Sequence, residues 1–195
     1  DYLVDYEKVD DSELEGRLAS FKFDTKKLLD NQRWWVLRMA YTKRPLQEKM
    51  ALFWHGLLTS AIQKVGRPEL LYQQNQLFRD HALGRYDAVL KAISRDPAML
   101  VWLDNRVNRK GAPNENYARE LMELFTMGVD NYTEQDVKEA ARAFTGWTLD
   151  REGSFFYNRP QHDDGAKAFL GRRGSFDGDD VIDIILEQPV TARYV

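Results

Sequence analysis

The sequence predicts an all-α fold, a predominantly helical and irregular multi-helix domain with a small loop/β insert near residues 147–174. Three observations carry this. Apolar residues recur at three- and four-residue spacing along most of the chain. Helix starts are marked by cap residues and prolines, Asp96-Pro97 most plainly. The stretch 147–174 alone departs from that spacing, with several glycines and the run Phe155-Phe156-Tyr157. A chain of 195 residues, 43% hydrophobic with five Trp, nine Tyr and ten Phe, can bury a core and is not a disordered sequence.

The elements follow in order. Asp10-Asp11-Ser12 supplies caps for a short helix through Ser20, and Asp24 starts a longer one carrying Leu28, Leu29, Trp34, Trp35, Leu37 and Met39. Pro45 suits the first turn of the next helix, to about Lys64. Leu46, Met50, Phe53, Trp54, Leu57, Leu58, Ala61 and Ile62 make that helix apolar on most sides, which predicts a central, buried element. Gly66 ends it and Pro68 restarts the chain toward Gly84. Helices over 86–94 and from Pro97 come next, and then a polar, basic connection over 105–112.

Residues 113–128, PNENYARELMELFTMG, read as an amphipathic helix with Asn114 as cap, a stripe of Tyr117, Leu121, Leu124 and Phe125, and Gly128 as stop. Thr133 with Asp136 predicts a capping box for the following helix, which carries Val137, Ala140, Ala141 and Phe144. Phe155-Phe156-Tyr157, Lys167–Leu170 and several glycines suggest a loop with one or two short strands, and Asp177 to Glu187 returns the chain to helix. There is no internal repeat and no low-complexity linker, so 1–195 reads as one helical domain.

Charge and composition narrow the function. A net charge of −3 argues against a general nucleic-acid binder. No apolar run is long enough to span a bilayer, and the absence of cysteine excludes disulfides and thiolate metal sites. Nothing matches a haem, nucleotide or flavin motif, a nucleophile elbow or a zinc-protease helix.

The candidate chemistry centres on the 113–128 helix. At roughly 100° per residue, Asn116, Glu120 and Glu123 share one flank. Two carboxylates and an amide side by side could bind a divalent cation or hold a proton, and an ordinary solvated helix face gives the same spacing. Glu115 and Arg119 lie on the other flank in the order that favours an ion pair. Of three histidines, His55 reads either as a general base or metal ligand or as a core histidine bonded to a carbonyl. His81 reads as a surface or capping residue. His162-Asp163-Asp164-Gly165 reads either as a functional loop or as a turn.

Taken together, these motifs resemble a bacterial family known only as domain of unknown function 1800. The residues that carry the resemblance are Leu46–Met50 with Phe53-Trp54-His55, Asp96–Leu100 with Leu103-Asp104-Asn105, and Asn114–Leu121. Tyr132-Thr133-Glu134, Thr145-Gly146-Trp147, and His162-Asp163 with Gly165, Lys167 and Leu170-Gly171 complete it. The match runs through nearly the whole chain in order. Members are similar to one another in being mostly helical, longer than this chain and commonly exported from bacterial cells. They are often encoded beside proteins similar to sulfatases and alkaline phosphatases. The resemblance therefore implies a fragment of a longer, exported protein, and it supplies no reaction. Leu57 and Phe125 stand where many relatives carry histidine, which weakens a metal role for His55.

Two functions follow as expectations. One is an enzyme-like site with Glu120, His55, His162 and Asp163 as catalytic candidates and Asn116, Glu123, Asn105 and Lys167 as binding candidates. Hydrolysis of a polysaccharide or an ester is its first reaction class, and a divalent cation its only suggested cofactor. The other is a non-catalytic scaffold or binding module that works with a secreted sulfatase- or phosphatase-like partner, with an exposed docking patch among its aromatic residues and its polar residues as a buried hydrogen-bond network.

Overall fold

The computed structural model describes residues 9–195. Among them are eleven α-helices and two small antiparallel two-stranded sheets, so the chain is predominantly helical with a small β insert, as the spacing predicts. Contacts divide it into two units, Asp1–Gly84 and Arg85–Val195.

The first unit holds α1 (Ser12–Ala19), α2 (Leu28–Tyr41), α3 (Pro45–Leu57), α4 (Ile62–Val65) and α5 (Pro68–Asp80). Its core is Leu14, Trp34, Ala51, Trp54, Leu58, Leu70 and Phe78. Among these sits a charged node. Glu48 accepts from Arg79 Nε at 2.6 Å and Nη2 at 2.8 Å, and from Arg38 Nε at 3.1 Å. Burial pushes the Glu48 carboxyl up, but the two guanidinium partners outweigh it and hold the group below its ordinary value.

The helix expected over 45–64 is shorter than predicted and less central. Thr59 Oγ1 donates to the carbonyls of His55 and Gly56, which satisfies the end of α3 and stops it at Leu57. Leu46, Leu52 and Phe53 are exposed, so the apolar circumference is only partly buried. Asp24 also acts differently from the expectation: its backbone N–H donates to Asp30, and α2 begins four residues later at Leu28.

The second unit holds α6 (Tyr86–Ile93), α7 (Pro97–Trp102), α8 (Asn116–Glu120), α9 (Glu134–Ala143), α10 (Gly178–Leu186) and α11 (Thr191–Tyr194). Asp96 caps α7 by accepting from Met99 N at 2.8 Å. Thr133 and Asp136 form the predicted capping box on α9, and Asp177 with Asp180 forms another on α10. Val89, Leu90 and Ile93, Met99 and Leu100, Tyr117 and Leu121, Ala140 and Phe144, and Val181, Ile182 and Ile185 make the core. A run of aromatic rings, Tyr117–Phe144–Trp147–Phe155, crosses it with centroids 4.9, 5.2 and 5.5 Å apart, all edge to face.

The β insert is two hairpins. β1 (Trp147–Leu149) pairs with β2 (Phe155–Tyr157), Trp147 opposite Tyr157. β3 (Lys167–Phe169) pairs with β4 (Arg172–Gly174), Phe169 opposite Arg172. The two-residue connection Leu170-Gly171 has φ of 46° and 78°, the double left-handed pattern that suits a tight hairpin turn. Leu170 N donates to Asp136 Oδ1 at 2.8 Å, which fastens this turn to the start of α9.

Candidate functional site

The helix expected over 113–128 begins only at Asn116, with Glu115 rather than Asn114 at the cap position, and it changes character midway. Asn114 Oδ1 accepts from Asn116 N at 3.0 Å and opens α8. From Leu121 to Thr126 the helix widens into a π turn. Met127 N and Gly128 N both donate to Met122 O, and Thr126 Oγ1 donates to Leu121 O at 2.6 Å. Gly128 closes it at φ 74°, where a Cβ would stand 2.8 Å from the Tyr194 ring. Widened turns of this kind recur at functional sites. The extra residue shifts the apolar stripe: Met122 is buried, and Leu124, expected in the stripe, is 48% exposed.

Asn116, Glu120 and Glu123 lie along this helix, all half-buried. Glu123 Oε2 accepts from the Tyr132 hydroxyl at 3.1 Å. Burial, and then the Glu123 charge, raise the Tyr132 phenol to about 12, so it stays a donor. Glu120 has no hydrogen-bond partner among the described residues, and burial followed by the neighbouring Glu123 charge raises its carboxyl above the ordinary range. Arg119 pairs with Glu115 at 3.3 Å as expected, and also grips both oxygens of Glu134 at 2.7 Å, joining α8 to α9.

The 158–167 loop is built from groups that bond to one another. His162 is 3% exposed, and its Nδ1 lies 2.9 Å from Thr145 O, so Nδ1 carries the proton and donates. Asp163 N donates to Thr145 Oγ1, and its carboxylate takes Arg142 Nε at 2.8 Å and Nη2 at 3.2 Å. Those bonds to Arg142 hold the Asp163 carboxyl at about 2, against the opposing effect of burial. Arg142 Nη1 also reaches Glu139 at 2.7 Å. Lys167 is 1% exposed, and its ammonium donates to Asp163 O at 2.6 Å and Gly165 O at 3.2 Å.

Asn105 is likewise internally bonded. Its Nδ2 donates to Trp147 O and Phe144 O, and its Oδ1 accepts from Asn108 Nδ2. Asn108 in turn donates to Ala141 O and accepts from Asn114 N, which ties the start of α8 to the end of α9. Gly146 passes between these groups at φ 83°, with a notional Cβ only 2.6 Å from Asn158 O. His55, in the first unit, is half-buried with its ring edge-on to Trp35 at 5.2 Å, and burial depresses its basicity.

The structure thus keeps Asn116, Glu120 and Glu123 together on one helix, and His162 and Asp163 together on one loop that Lys167, at the start of β3, grips through Asp163 O. Among the described residues no three His, Asp or Glu side chains gather, so the two glutamates do not fit a dedicated cation site, which needs more oxygen ligands. Sequence reasoning missed Thr145 and Arg142, which organise the loop, and Asn108, which ties α8 to α9; Thr145 stands in the Thr145-Gly146-Trp147 run, and the other two carry no local signal. It also missed a polar cleft of about 280 Å³ lined by Arg106, Arg109, Thr148, Asn158 and Gln161.

No curated protein and no solved structure matches this chain. A family model described as "Protein of unknown function (DUF1800)" matches residues 5–195. With essentially its whole length inside that match, the chain belongs to the DUF1800 family.

Proposed function

We propose that the chain is a non-catalytic binding module of an exported bacterial protein, which docks onto a sulfatase- or alkaline-phosphatase-like partner through the outer face of α2. The observation that carries this reading is an apolar stripe. Leu29, Val36 and Met39, at i, i+7 and i+10 of α2, are 56%, 58% and 43% exposed. Side chains of that size grouped on one helix face favour burial against another surface. The partner class rests on the family resemblance. The bonding of His162, Asp163, Lys167 and Asn105 supports the reading from the other side, since these groups already serve the packing of the second unit.

The test is co-elution. The protein, mixed with a sulfatase- or alkaline-phosphatase-like protein of the proposed partner class, is expected to elute as a complex on size exclusion, and Val36→Glu to abolish the complex without loss of helicity. Separate elution of the wild-type proteins refutes the reading. Cell fractionation tests the export component, with recovery in the periplasm or medium expected and recovery in the cytoplasm contradicting it.

One observation favours a second reading. Glu120 is half-buried, unbonded among the described residues and beside a second carboxylate, which suits a group that exchanges a proton. Under this reading Glu120 is the acid–base residue of a hydrolase, Asn116 stands one turn before it on the same flank to contact substrate, and Glu123, held by Tyr132, supplies the neighbouring charge. Turnover of an ester or polysaccharide that Glu120→Gln abolishes would establish it.

A further inference from the structure

The polar cleft of the second unit is used by neither reading above. Residues 106–109, 146–148 and 158–161 frame it, and hydrogen bonds lock these segments to one another. Gly146 N donates to Asn108 O at 3.0 Å, Asn158 N to Gly146 O at 2.7 Å and Lys110 N to Gln161 O at 2.7 Å. Thr148 Oγ1 donates to Arg106 O at 2.8 Å. A Cβ at Gly146 would strike Asn158 O, so glycine is what lets the segments close up this tightly. The frame is therefore preformed.

The polar surface left to a ligand is rich in donors. The carbonyls of Arg106, Asn108, Arg109, Gly146, Asn158 and Gln161 all accept within the protein. Arg106 and Arg109 line the cleft and no acid does. Both arginines are exposed, and neither has a carboxylate partner among the described residues. Arg95, Arg119, Arg142 and Arg159 of the same unit, by contrast, each hold an Asp or Glu. Asn158 and Gln161 also line the cleft, and their side-chain amides make no hydrogen bond among the described residues. A second depression, of about 460 Å³, shares Thr148 and Asn158 with the first and reaches Arg151 and Phe156. Arg151 is exposed and likewise has no carboxylate partner among the described residues, and Phe156 is 49% exposed. The one acid there, Asp150, accepts from Glu152 N and Ser154 N, which fixes it in the β1–β2 turn.

We infer that this trough binds an acidic glycan, a sugar chain bearing carboxylates or sulfates, with Arg106 and Arg109 on its charged groups, Asn158 and Gln161 on its hydroxyls and Phe156 against the apolar face of a ring. A guanidinium presents paired N–H donors that match two oxygens of a carboxylate or sulfate. A side-chain amide both donates and accepts, as a sugar hydroxyl does. Single-stranded nucleic acid also seeks arginines, but it needs successive aromatic platforms, and Phe156 is the one aromatic residue that lines the trough. The net charge of −3 disfavours it further. The site shares no residue with the α2 stripe or with the Glu120 flank and rests on neither reading.

The test is calorimetric titration of the whole chain with an oligogalacturonate, dextran sulfate, neutral dextran and an oligothymidylate. Saturable binding of one or both acidic glycans is expected, weakening with added salt, and which of them binds identifies the charged group as carboxylate or sulfate. Arg106→Ala and Arg109→Ala should each weaken that binding about tenfold, and Phe156→Ala severalfold. Arg173→Ala removes an exposed charge that has no carboxylate partner among the described residues and lies outside the trough, and should leave binding unchanged. The three arginines are exposed and unpaired in this way, so their variants keep the wild-type circular dichroism spectrum. No saturable binding of either acidic glycan overturns the inference. So does equal affinity for neutral dextran, tighter binding of the oligothymidylate, or an equal loss in Arg173→Ala and Arg109→Ala, which would make the attraction one of overall charge.

Discussion

Replacing Asp163 by asparagine tests the loop most sharply. In the folded protein the Arg142 guanidinium holds this carboxyl at about 2, against an ordinary 3.8. That difference corresponds to roughly 2.5 kcal/mol of stability at neutral pH. The two side chains are 19% and 26% exposed, so solvent screening lowers the expected loss to about 2 kcal/mol. The sign follows from the direction: a carboxyl depressed on folding stabilises above its unfolded value, and that contribution disappears as the pH falls from about 4 toward 2. Urea unfolding of the whole chain near pH 7 should show the Asn variant about 2 kcal/mol less stable, with the gap closing on acidification through that window. Asparagine keeps an acceptor oxygen for Gly165 N, now bonded at 2.9 Å, so the turn itself survives. A variant as stable as wild type near neutrality, with the same acid limb, would refute the claim that this pair pins the loop to α9.

Other expectations separate structural from functional groups. Glu48→Gln leaves Arg79 and Arg38 short of a buried counter-charge and should cost roughly 3 kcal/mol in thermal or urea unfolding; its depressed carboxyl also makes the wild type lose stability as the pH falls below the ordinary Glu range. Gly146→Ala forces a side chain into a left-handed position against Asn158 O and should cost at least about 2 kcal/mol, measured the same way. Glu120→Gln should be neutral or slightly stabilising near neutrality. The Glu120 carboxyl is raised on folding, so its favourable contribution exists below the ordinary value and is lost as the pH rises past the raised one. Marked destabilisation would make Glu120 a structural residue.

Much of this architecture was legible because it is local. The cap–proline pair Asp96-Pro97, the Thr133–Asp136 box and the short strands all depend on neighbours within a few residues, and the structure bears them out. The π turn was not legible: Thr126 Oγ1 takes Leu121 O while Met127 N and Gly128 N share Met122 O, and Leu124 turns outward where regular spacing places it inside. The 45–64 helix was misjudged because composition does not reveal which apolar face finds a partner. The site reading divided along the same line. The Asn116–Glu120–Glu123 flank follows from helical spacing, whereas the fates of His162 and Asp163 depend on Thr145 and Arg142, 17 and 21 residues distant. Pairings at that separation carry no sequence period.

Calorimetric titration of the protein with the proposed partner, a sulfatase- or alkaline-phosphatase-like protein, decides whether α2 is a docking face. Saturable binding with a negative heat-capacity change is expected, as when an apolar stripe is buried, unaffected by Glu120→Gln and abolished by Val36→Glu. Absence of binding, or binding lost with Glu120→Gln and retained with Val36→Glu, would contradict it.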